Sequence, residues 1–288
     1  PEKFDMVLEK GLHMVPDGKG GTKDAYLDLP GISVLIGGMW VANLYYWGCN
    51  QYIIQRALAA KNVGEAQKGL AFAAYLKLLL PLIVVIPGIA AFALSADIAK
   101  SDEAYPWLLH TFVPSGVKGL AFAALVAAIV SSLASMMNSV STIFTMDIYK
   151  AYIKKDASER NLVSTGRIAS TVALIIAVAV APMLSNLDQA FQYIQEFTGF
   201  VSPGALAIFL AGFFYKRATA NGALAAAVGT FVFSTLLKVF APALPFMDRM
   251  GIVFILCFGL IWLFATIENK GVHPKAITLH KGLFQSSK

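Results

Sequence analysis

The sequence predicts an all-α polytopic membrane protein with about seven transmembrane helices, and three observations carry that prediction. The chain is 57% hydrophobic and only 14% charged, whereas an ordinary soluble domain carries about 25% charged residues. The charges are unevenly placed: residues 29–55, 119–146, 168–187, 197–215, 218–237 and 250–267 hold no Asp, Glu, Lys or Arg, and 69–96 holds only Lys77. Runs of roughly 20 apolar residues span a bilayer as a helix. The third observation is the side on which basic residues fall. With alternating loops, 14 Lys and Arg lie on 54–68, 147–167, 216–217 and 266–288, against 7 on 1–28, 96–118, 185–196 and 242–249. Because basic loops stay in the cytoplasm, the C-terminus is expected inside and residues 1–28 outside. The net charge of +6 is thus a topology signal, and basic residues confined to short loops argue against a nucleic-acid partner.

Residues 1–28 read as a polar loop without a cleavable leader pattern. An exported loop needs an earlier membrane segment, so the chain is expected to be the C-terminal part of something longer. Cys49 and Cys257 sit in separate apolar runs, and His13, His110, His273 and His280 are scattered over loops. No zinc spacing, nucleophilic triad, paired Asp or HExxH pattern is present, so no enzyme is expected.

The first span, roughly 31–53, is the least uniform. Asn43, Tyr46, Trp47 and Asn50 follow at i, i+3, i+4 and i+7, which places them on one helical face. Gly37, Gly38 and Gly48 bracket that face and lower the cost of unwinding or close packing. An amide and two aromatics beside weak helix suit a small polar ligand with an apolar ring face; an interfacial aromatic belt is the alternative.

The second span, roughly 69–95, holds Lys77 about 12 Å of helix rise from Gly69. A lysine at that depth faces a partner or wet cavity, or else it snorkels to the interface. Pro81 and Pro87 should kink the same helix. In the third span Ala128, Ser132, Ser135 and Ser139 form a small-residue stripe with Ser131 beside it. Such stripes serve close helix packing, and paired hydroxyls with a carbonyl also offer hard oxygen ligands to a small cation.

The fourth span, 168–187, is nearly featureless and reads as a packing or lipid-facing helix. The fifth opens with Gln189, Gln192, Gln195 and Glu196 along one side, then reaches Gly199 and Ser202-Pro203-Gly204, which should bend or break it. Gln195 can donate to and accept from a hydroxylated ligand, or simply line a solvated helix entrance. Spans six and seven, near 218–241 and 250–267, show packing glycines and no polar constellation, and so read as structural.

Taken together, NLYYWGCNQYIIQRALAAK, LKLLLPL, AAIVSSLASMMNSVSTIFTMDIYK and QAFQYIQEFTGFVSPG closely resemble the sodium/solute symporter family, in particular its bacterial sodium/sugar branch. The resemblance runs over nearly the whole chain. It implies an inverted-repeat fold of five plus five core helices, with substrate and ion near the membrane midplane where helices are discontinuous. On that mapping residues 1–28 are an extracellular or periplasmic loop, 29–215 the second five-helix repeat, 216–268 two peripheral helices and 269–288 a cytoplasmic tail.

The resemblance also implies sodium-coupled transport of galactose or glucose across the bacterial inner membrane. Asn43, Lys77 and Gln195 would bond sugar hydroxyls, Tyr46 would stack on the sugar ring as a gate, and Trp47 would lie beside it. Ser131 and Ser132 would give hydroxyl oxygens, and Ala128 its carbonyl, to the sodium ion. The remaining ligands would come from the absent first repeat, an N-terminal partner within the same protein. Rival readings are the same fold carrying proline, pantothenate, inositol or sialic acid, and a membrane sensor or scaffold that transports nothing.

Overall fold

The computed structural model describes residues 9–16, 21–27, 31–94, 97–98, 101–184 and 190–272. Gln189, His273 and His280 lie outside these residues. The chain divides into two compact units, Pro1–Asn50 with Phe191–Lys288, and Gln51–Ala190.

In the first unit a short antiparallel hairpin, β1 (Met14–Pro16) and β2 (Thr22–Asp24), pairs Met14 with Asp24. The Gly11 N–H, on a residue with φ of 84°, donates to Asp24 Oδ2 at 2.6 Å. The stretch expected to be only a polar loop therefore carries a small closed turn. The first apolar run then breaks where a single span was predicted. Helix α1 (Ile32–Gly37) and α2 (Met39–Gly48) are separated at Gly38, whose φ of -146° and ψ of -10° leave the helical region. Helix α2 ends at Cys49, so Asn50 falls beyond the helix and leaves the predicted face.

The predicted fifth span is also broken. Helix α9 (Ala190–Thr198) stops before Gly199, and α10 (Ser202–Phe214) starts with Pro203 in its first turn, as the glycine and proline chemistry requires. Helix α11 (Ala220–Phe240) begins at Thr219, whose hydroxyl accepts from the Gly222 N–H at 3.2 Å. Helix α12 (Phe246–Glu268) starts after Pro245 and ends at Asn269 in the left-handed conformation, with φ of 41°.

Helices α10, α11 and α12 enclose the core of this unit: Ala207, Ala211, Ala226, Val253, Cys257 and Ile261 are fully or almost fully buried. Glycines set the approach of α11 to α12. A Cβ on Gly222 would lie 3.2 Å from the Ile261 backbone, and one on Gly229 would lie 2.8 Å from Leu260 Cδ1. The packing role expected of these two spans holds.

The second unit contains α3 (Gln51–Leu58), α4 (Val63–Lys77), α5 (Ile86–Ala93), α6 (Ala104–Phe112), α7 (Ser115–Thr142) and α8 (Glu159–Leu184). Asn62 caps α4 by accepting from the Glu65 N–H at 2.9 Å. The predicted proline kink takes the form of a π-helical turn, Pro81–Val85, between α4 and α5. A longer π-helical segment, Ile143–Ile153, continues α7. Helix α7 packs against α8 and α3, while Ile175 and Val178 of α8 remain exposed.

Among the described residues, five helical segments are long and apolar enough to cross a membrane: 63–93, 115–153, 159–183, 220–240 and 246–268. The bent pair at Gly38 counts as a sixth if taken as one span. Against the expectation of seven spans, the described residues hold five such helices and a sixth broken at Gly38, while α10, with 13 residues, is a shorter apolar helix.

Candidate binding site

Glycine pairs and proline fix where the first unit interrupts its helices, and both interruptions adjoin predicted ligand residues. Asn43, Tyr46 and Trp47 all lie on α2, just after the break at Gly38. The Asn43 amide donates to Met39 O at 2.9 Å, one turn back on its own helix, which leaves its carbonyl oxygen to accept. Tyr46 and Trp47 are each 38% exposed and meet edge to face, with centroids 5.4 Å apart at 80°. An aromatic pair at that angle offers one ring face and one ring edge to a ligand. Gln195, half-buried on α9, stands four residues before the second break, and its backbone carbonyl accepts the Gly199 N–H at 2.9 Å.

The second break is closed by a side chain. Thr230 of α11 donates to Phe200 O at 2.9 Å and accepts the Gly204 N–H at 3.2 Å. A carbonyl and an amide released by the interruption are thereby both paired away from water.

In the second unit Lys77 is exposed at the last residue of α4, just before the π-helical turn. Ala128, Ser131 and Ser132 lie on one long α7 turn and are exposed. The rest of the stripe has a different use. Ser135 Oγ donates to Ser131 O at 3.0 Å and accepts from Arg56 Nη2 at 2.5 Å, while Ser135 O accepts from Gln55 Nε2 at 3.0 Å. The Gln55 carbonyl in turn accepts from Asn138 Nδ2 at 2.8 Å. Ser139 is buried. The stripe therefore divides: Ser135 bonds to α3 and Ser139 is buried, while Ala128, Ser131 and Ser132 are exposed.

A groove of about 570 Å³ between α7 and α8 is lined by Asn138, Ser141, Thr142, Thr145 and Arg167 among others. Its lining begins at Met137, and neither Ser131 nor Ser132 is part of it.

One polar constellation in the last two spans escaped the sequence reading, which expected none there. Glu196 Oε1 accepts from Arg249 Nη2 and Lys238 Nζ, each at 2.9 Å. The Arg249 side chain is 7% exposed and that of Lys238 is 52% exposed. Both cations lie over the Phe200 ring, at 5.9 and 5.7 Å from its centroid. The adjacent Asp248 accepts from Ser33 Oγ of α1 at 2.9 Å. A signal was present: Glu196, Lys238 and Arg249 each border an apolar run, and the loops 185–196 and 242–249 fall on one predicted side. Among the described residues no group of three or more His, Cys, Asp or Glu could hold a metal ion.

Comparison with known proteins places these features in context. The profile of the Sodium:solute symporter family matches residues 2–229. A sodium/glucose cotransporter of Vibrio parahaemolyticus is 50% identical, aligned over 99% of this chain and 53% of that protein. A mouse sodium/myo-inositol cotransporter is 36% identical over 71% of this chain and 31% of its own length. Among solved structures, a substrate-bound, outward-open Na+-coupled sialic acid symporter superposes with a TM-score of 0.68 at 25% identity, covering 81% of this chain and 49% of that one. The chain spans about half the length of the Vibrio relative and about a third of the mouse one.

Proposed function

The chain belongs to the sodium:solute symporter family, and from that membership we propose that it supplies the substrate-binding half of a transporter that couples sodium entry to sugar uptake by alternating access. The observation that carries this reading is the helix broken at Gly38, with Asn43, Tyr46 and Trp47 on the segment that follows. Discontinuous helices are where such folds hold their cargo.

In this reading Asn43, Lys77 and Gln195 bond sugar hydroxyls. Tyr46 lays its ring on the C–H face of the pyranose, with Trp47 packed edge-on beside it. Ser131 and Ser132 give hydroxyl oxygens to sodium and Ala128 its backbone carbonyl, a neutral donor set that binds reversibly, as a coupling ion requires. Sodium and sugar then raise each other's affinity by the same factor, and the loaded state rocks between the two faces of the membrane. The other half of the transporter provides the remaining ligands. The C-terminus lies in the cytoplasm by its excess of basic residues.

The test is sodium-driven galactose or glucose uptake by the intact transporter in liposomes. Replacing Ser131 and Ser132 together with Ala lowers apparent sodium affinity about tenfold or more, the loss of roughly 1.4 kcal/mol or more. Unchanged sodium dependence overturns the ion assignment. Tyr46→Phe keeps most uptake and Tyr46→Ala abolishes it; equal defects would assign the role to the hydroxyl instead of the ring. The inositol cotransporter relatives favour a second cargo of similar chemistry, a neutral cyclic polyol. Competition by myo-inositol for labelled sugar decides between them.

A further inference from the structure

Five consecutive residues at the start of α12, Met247 to Gly251, reach both helix breaks of the first unit. The Met247 carbonyl lies against Gly38, where any Cβ would collide with it. Asp248 accepts from Ser33 Oγ at 2.9 Å and places its other carboxylate oxygen against Gly37. Arg249 pairs with Glu196 at 2.9 Å, three residues before Gly199. The Met250 sulfur would lie 3.2 Å from a Cβ on Gly199, and Gly251 abuts the Gly37 carbonyl. Met247, Asp248 and Gly251 thus face the break at Gly38, while Arg249 and Met250 face the α9–α10 break.

From this arrangement we propose that the first turn of α12 is a clamp joining the two breaks, with Arg249, Asp248 and Glu196 as positioning residues for the substrate site. Asn43 and the aromatic pair follow the first break, and Gln195 immediately precedes Glu196. A turn that seats both breaks sets the positions of both ligand groups without touching substrate. The Arg249–Glu196 pair is suited to the task. Arg249 is buried and offers a planar, permanently charged fork, and the ring of Phe200 covers it. Losing Glu196 leaves the Arg249 charge, 7% exposed, without this carboxylate in a desolvated place, so the geometry is strongly preferred. Lys238, half exposed, adds a second cation to the same carboxylate oxygen.

The inference rests on the sugar-site reading above, and one set of uptake assays on the intact transporter separates the two. Expected for Glu196→Gln and Arg249→Gln is a rise of about fivefold or more in the sugar KM, with maximal rate per folded molecule within about twofold. Arg249→Lys, which keeps a cation beside Glu196, retains most of the affinity. Asp248→Asn shifts KM in the same direction and acts less than additively with Arg249→Gln, because both act on one turn. Single variants with unchanged KM overturn the clamp, as does a defect confined to maximal rate or to the amount of folded protein. If Arg249→Gln fails to insert, Asp248→Asn with Ser33→Ala carries the test. Tyr46→Ala in the same series reads the site itself: a lost sugar response there, with normal KM in the clamp variants, overturns the clamp alone. No response in either sinks the sugar site first.

Discussion

Thr230 shows how much one hydroxyl does in a membrane helix. It serves Phe200 O and the Gly204 N–H together and is 2% exposed. Thr230→Val keeps the shape and removes both bonds, so two backbone groups lose their partners in a buried place. The expected cost is about 1–3 kcal/mol, read as a lowered unfolding midpoint in detergent, with Thr230→Ser much closer to the parent protein. The candidate site shows a similar economy. Asn43, Tyr46 and Trp47 were legible because polar and aromatic residues stand out in an apolar run, and their spacing survives in α2. Asn50 was not, because the end of α2 at Cys49 is a local backbone event that no periodicity announces. The Arg249–Glu196 pair was missed for a different reason: its members are 53 positions apart in sequence, and only the tertiary fold brings them together.

At the scale of the element, glycines separate into those that admit a neighbour and those that do not. Gly38 meets the Met247 carbonyl, whereas Gly69 and Gly116 have no such neighbour within 4 Å of an added Cβ. Gly38→Ala is therefore expected to displace α12 and cost about 1–3 kcal/mol or more by overpacking. Gly116→Ala, at the start of α7, is neutral or gains up to about 1 kcal/mol of helix propensity. Yield of folded protein and uptake rate, measured for the two variants side by side, check this. The apolar runs located all the long helices, since bilayer length and absence of charge are properties of composition. They could not tell a continuous span from a broken one. Residues 29–55 and 197–215 are as free of charge as the rest, and the backbone groups released by a break are satisfied by distant partners such as Thr230.

At the scale of the whole molecule, exposure has two meanings, and chemistry tells them apart. Ile175 and Val178 on α8 are more than 60% exposed and have only methyl groups to show, which suits lipid. Ser131 and Ser132 on α7 are exposed as well, but show hydroxyls, which suits water, an ion or another polar segment. Single cysteines placed at 128, where the backbone carbonyl survives the change, and at 178 of the intact transporter should therefore differ. A water-soluble maleimide labels Ala128→Cys, more slowly when sodium is present, and leaves Val178→Cys unlabelled. Equal labelling at both, or no effect of sodium at 128, removes the ion path from this face of α7.

The contact of Gly37 and Gly38 with Met247 and Gly251 also constrains how this protein can change over generations. Side-chain contacts tolerate exchange, since a larger residue on one helix is offset by a smaller one opposite. Here backbone meets backbone, and at Gly37 and Gly251 both partners are already the smallest residue available. A genetic screen for second-site suppressors of Gly251→Ala should yield none at positions 37 or 38. Any that arise should map to residues that tilt α12, such as those facing it from α10 and α11.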